Sequence, residues 1–137
     1  MSFLVDTNVL SELRKGSRCD GGVLRWFEGV GEEELFTSVL VIGEIRHGIE
    51  SIRGRDKRTA RVLERWLASL TRDFAERILP IDLQVAERWG EMTAGWQLPV
   101  ADGLIAATAS VHGLTVVTRN SDDFEPSGVE VLNPFNH

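Results

Sequence analysis

The sequence predicts a single α/β domain in which a mostly parallel sheet of about five strands is flanked by helices. Three observations lead there. Short apolar runs alternate with amphipathic stretches of helical length along the whole chain. The first apolar run, Phe3-Leu4-Val5, passes directly into turn and cap formers, Asp6-Thr7-Asn8, as a buried strand feeding a helix does. Finally, 137 residues with 42% hydrophobic and 26% charged side chains suffice for one core. One domain over 1–137 follows, with no repeat, linker or low-complexity segment.

The elements follow in order. After the first strand and its helix, Val23 to Val30 reads as a short helix closed by Gly29 and Gly31. Glu34 to Ser38 is the second strand, and Ser38 caps a helix running to about Ile52. Arg55 to Asp73 has helical composition, with Val62, Trp66, Leu67 and Leu70 as its apolar stripe. Arg77 to Ile81 is a third strand and Val85 to Trp96 another amphipathic helix. Pro99 and Asp102 open a helix of small residues that Gly113 ends. Leu114 to Thr118 and Val129 to Leu132 complete the sheet.

Composition narrows the function classes. The net charge of −6 argues against a uniformly basic nucleic-acid binder, yet the charge is uneven. Nine of the fifteen Lys and Arg fall between Arg46 and Arg77, against six acids from Glu44 onward. A phosphodiester substrate therefore stays open. The lone Cys19 cannot form an internal disulfide, and the uncharged stretch from Gly103 to Thr118 is too short and interrupted to span a bilayer. A cytoplasmic protein with no membrane partner is expected.

Four acids stand where such a fold gathers ligands, at the carboxyl ends of the strands. Asp6 follows the first strand and Asp123 the fourth. Asp102 starts the helix leading into the fourth, and Glu44 lies in the second turn after the second. Carboxylates sharing a pocket raise one another's pKa, a conflict that a divalent cation removes. Oxygen donors without His or Cys favour magnesium or manganese, ions suited to phosphodiester hydrolysis. Each acid also has an ordinary reading: helix caps for Asp6 and Asp102, a solvated face for Glu44, a turn for Asp123.

Four strings, in this order over the whole chain, carry a resemblance: Leu4-Val5-Asp6-Thr7-Asn8-Val9-Leu10, the Glu44 helix, Asp102-Gly103-Leu104-Ile105-Ala106-Ala107-Thr108-Ala109, and Val117-Thr118-Arg119-Asn120-Ser121-Asp122-Asp123-Phe124. Together they resemble the PIN-domain family, in particular the VapC toxins of bacterial toxin–antitoxin pairs and their FitB-like relatives. The resemblance implies an acidic quartet of Asp6, Glu44, Asp102 and Asp123. Asp123 is preferred to Asp122 because the family's acid directly precedes the aromatic, here Phe124. It also implies that Thr7, Thr118 and Asn120 support the acids or a bound water.

The implied activity is a magnesium- or manganese-dependent endoribonuclease acting on RNA. Its implied partners are a cognate VapB-like antitoxin, a second copy in a homodimer, and operator DNA only through the antitoxin. Two alternatives remain open: a FitB-like regulatory partner with little or no nuclease activity, and a metal-binding module with no physiological nuclease role. Among other residues, the Arg53–Arg65 stretch is either an RNA-contacting rim or a solvated helix face. Trp66 and Trp89 read as core stripe or dimer contact, His47 as a surface group, and Cys19 lacks a partner His.

Overall fold

A computed structural model describes residues 1–135. The last two residues of the expected domain lie outside them. Five strands form one sheet: β1 (Phe3–Val5), β2 (Leu35–Ser38), β3 (Ile78–Leu79), β4 (Thr115–Val117) and β5 (Val131–Leu132). Their order is β3-β2-β1-β4-β5, and every pairing is parallel. The α/β class and the parallel sheet are as the sequence predicts.

Parallel neighbours need crossover helices, and right-handed crossovers decide which face each helix covers. The chain moves outward from β1 to β2 to β3, through α1 (Thr7–Leu13), α2 (Gly21–Glu28), α3 (Val39–Arg53) and α4 (Lys57–Phe74). It then returns across the sheet to β4 through α5 (Leu83–Thr93) and α6 (Val100–His112), and reaches β5 through the four-residue α7 (Ser121–Phe124). The reversal places α1 to α4 on one face and α5 to α7 on the other. The central strands β1 and β4 are buried along their lengths, so Phe3, Leu4, Val5, Val116 and Val117 join one core with Val9, Ile49, Leu67 and Ile105.

Several elements differ from expectation, each for a local reason. Asp20 accepts bonds from Gly22 N and Val23 N, so α2 starts at Gly21 and not at Val23. Asp56 caps α4 by accepting from Thr59 N, which breaks the chain between α3 and α4 and moves the start past Arg55. Val62 is 45% exposed. The buried stripe of α4 is Ala60, Leu67, Leu70 and Phe74. Similarly, Asp82 caps α5, which starts at Leu83, two residues before Val85, and the helix stops at Thr93, leaving Trp96 exposed. The third strand is two residues long, and the segment after β4, expected as a turn, closes into α7.

Candidate functional site

An open parallel sheet forms a crevice where successive connections leave in opposite directions, at the carboxyl ends of the strands flanking that point. Here the flanking strands are β1 and β4, at the sheet's centre. Asp6 is the first residue beyond β1, and its backbone N–H donates to Val117 O of β4 at 2.9 Å. It stands at the N-cap of α1, the role its ordinary reading gave it. Its side chain also bridges the two strands. Oδ1 accepts from Thr7 N at 2.8 Å, and Oδ2 accepts from the Thr118 hydroxyl at 2.7 Å. With 6% of Asp6 exposed, burial pushes its pKa up, and these two bonds oppose the rise.

The other three acids come from separate elements. Glu44, exposed on α3, accepts the Thr7 hydroxyl through Oε1 at 2.7 Å. This bond ties the acid of α3 to the first residue of α1. Asp102 lies in the first turn of α6, past the Pro99 cap position, where the helix dipole favours a negative charge. Asp123 lies in α7, exposed, beside the fully buried Phe124 that anchors that turn in the core. The electrostatics of Asp102 show how the four relate. Partial burial raises its pKa most, and the charges of Asp6, Asp123 and Glu44 raise it further, in that order. All four carboxylates therefore bear on one half-buried position. Four helix starts from both faces of the sheet bring them there.

The supporting polar residues expected from the sequence lie around this cluster. Thr7 holds Glu44, and Thr118 holds Asp6. Asn120 contributes its backbone N–H, which donates to Thr118 Oγ1 at 3.1 Å. Sequence reasoning missed Asn8, whose Nδ2 donates to Thr118 Oγ1 at 3.2 Å and whose Oδ1 accepts from Arg119 N at 3.0 Å. Its signal was its place in the polar run Asp6-Thr7-Asn8, one residue after Thr7.

The basic stretch divides in two. Arg46 and Arg53 bond Glu50 and Glu64 across α3 and α4, and Arg77 bonds the carbonyls of Glu32, Leu35 and Asp73. These three serve the fold. Arg55, Arg58, Arg61 and Arg65 are exposed.

Among the described residues, no three His, Cys, Asp or Glu side chains close into a ready metal cage. The donor set still fits a hard cation. Magnesium keeps most of its waters and takes one or two carboxylates together with substrate oxygens, so it needs no closed cage. A half-buried carboxylate repelled by three others is a place where a divalent charge lowers the energy.

The PIN-domain model matches residues 3–126, nearly the whole described chain. The chain belongs to the PIN-domain family. This PIN domain is 34% identical to a VapC ribonuclease of Sinorhizobium fredii, over 97% of each chain. It is 35% identical to the toxin FitB of Neisseria gonorrhoeae, over 97% of this chain and 98% of that one. A solved structure of FitAB bound to a DNA fragment superposes with a TM-score of 0.86 at 33% identity, covering 98% of this chain and 96% of that one. No helix among the described residues is long and apolar enough to cross a membrane.

Proposed function

We propose that this PIN domain is a divalent-metal-dependent endoribonuclease that acts as the toxin of a toxin–antitoxin pair. The observation that carries the reading is the convergence of Asp6, Glu44 and Asp123 on Asp102, in a chain one third identical to a VapC ribonuclease over its length. Asp6 and Asp102, with Glu44 or Asp123, would hold magnesium or manganese. The ion supplies charge to polarise a phosphoryl oxygen and to favour ionisation of an attacking water. The protein's own groups do the rest. Thr118 and Thr7 N fix both oxygens of Asp6, and Thr7 holds Glu44.

Surface features support the partners. A cleft of about 420 Å³ beside β1, lined by Leu10, Leu13, Trp26 and Trp66 together with the charged Arg14 and Asp73, offers a partner polypeptide a mixed apolar and polar surface to cover. An antitoxin is the partner proposed for it, as FitAB is a complex. The exposed Val39 and Val100 stand at the starts of α3 and α6, on the sheet's carboxyl edge. They are the apolar groups a second copy in a homodimer would cover.

The DNA-bound FitAB structure favours a second reading, in which the chain serves mainly to build a DNA-binding complex with its antitoxin. Induced expression without an antitoxin, followed by growth, separates the two. The toxin reading expects growth arrest that Asp6→Ala abolishes. Undisturbed growth with soluble wild-type protein present would give preference to the regulatory reading.

A further inference from the structure

The environment of Thr118 Oγ1 is over-determined. A hydroxyl has one proton to give and two lone pairs to receive with. Asn120 N–H reaches this oxygen at 3.1 Å and Asn8 Nδ2 at 3.2 Å. A backbone N–H can only donate. The Asn8 amide is fixed too, because Arg119 N–H points at its Oδ1 at 3.0 Å and needs an acceptor there. Nδ2 must therefore face Thr118. With both lone pairs taken, the Thr118 proton goes to the one acceptor left, Asp6 Oδ2 at 2.7 Å.

A single polarised chain results. It runs from the Arg119 amide through the Asn8 carboxamide and the Thr118 hydroxyl to the Asp6 carboxylate, joining α1 to the loop after β4. Donors and acceptors aligned head to tail strengthen one another in a buried setting. Thr118 is fully buried and Asp6 nearly so.

We propose that Asn8 is a positioning residue for the reaction, directing the single proton of Thr118 so that Asp6 is held in the rotamer that presents its free lone pairs to the site. Asn8 does not touch the reacting groups; it acts through Thr118. The inference rests on the metal-dependent reading above, and its test must separate the two.

The test is calorimetric titration of manganese into the wild type, Asn8→Ala, Thr118→Val, the double variant, Thr118→Ser and Asp102→Asn. Changes to residues that orient metal ligands weaken metal binding roughly 10- to 100-fold. A loss of that size is expected for Asn8→Ala and for Thr118→Val, with Thr118→Ser restoring near wild-type affinity. The double variant is expected to bind no more weakly than Thr118→Val, because groups acting in one chain are not additive. Asn8→Ser takes the place of Asn8→Ala if the latter does not fold. Wild-type affinity in Asn8→Ala, or a double variant whose loss is the product of the single losses, would overturn the positioning role. Failure of the wild type to bind manganese, or undiminished binding by Asp102→Asn, would overturn the metal-dependent reading itself and this inference with it.

Discussion

Asp102 shows what assembling a site costs at the scale of one side chain. Its carboxyl is partly buried and faces the charges of Asp6, Asp123 and Glu44, an arrangement that favours a bound cation and disfavours the empty fold. Asp102→Asn removes the repelled charge with little change of shape. In a thermal melt with EDTA, the variant is expected to have a higher Tm than the wild type. With manganese present, the wild type should gain Tm through binding to the native state, and the variant should gain little. Equal gains in both proteins would remove Asp102 from the cation's surroundings. Much of this candidate site was legible in the sequence, because Asp6 directly follows the first strand and Asp123 lies in the segment after the fourth. The link through Asn8 was not, since it depends on which amide atom faces which loop across 110 residues of chain.

At the scale of elements, the fold depends on close approaches that composition only hints at. The indole of Trp89 on α5 lies against Gly103 on α6, where a Cβ would come within 2.9 Å of Nε1 and 3.2 Å of Thr93 Cγ2. Gly103→Ala must therefore push α5 from the turn that carries Asp102. Overpacking of this kind costs about 1–3 kcal/mol, to be read as a lower urea midpoint. An unchanged midpoint would mean that the indole yields freely. The helices α3 and α4 are joined differently, by charges. Bonds and charge from Arg53, and then Arg46, hold the exposed Glu50 carboxyl down to about 2, from an ordinary 4.5. A depressed acid stabilises the fold above its unfolded pKa, and that contribution fades as pH falls through the folded value. Glu50→Gln is accordingly expected to lower Tm slightly at pH 7, with the deficit vanishing between pH 4.5 and about 2 and shrinking in about 1 M salt. A deficit independent of pH and salt would point to packing instead. The sequence indicated α4 and α5 through their amphipathic pattern. Their ends escaped it because Asp56 and Asp82 act as caps only once the neighbouring turns form.

For the whole molecule, the strand order matters most. Alternating apolar runs and helices announced a parallel sheet, but nothing in them says that β1 lies at its centre with β2 and β4 on either side. That order creates the crevice between β1 and β4, and it brings acids from α3, α6 and α7 to the one that follows β1. The overall charge of −6 is compatible with a polyanionic substrate only because the acidic cluster would be neutralised by cations and exposed Arg side chains lie on α4. The central claim is that these four carboxylates form one metal-dependent centre that cuts RNA. Its most direct test is incubation of a mixed RNA pool with the purified protein, in manganese, in magnesium and in EDTA, with Asp6→Ala purified in parallel. The account predicts cleavage by the wild type with either metal, none in EDTA and none by the variant. Equal cleavage by both proteins, or cleavage that survives EDTA, would contradict it.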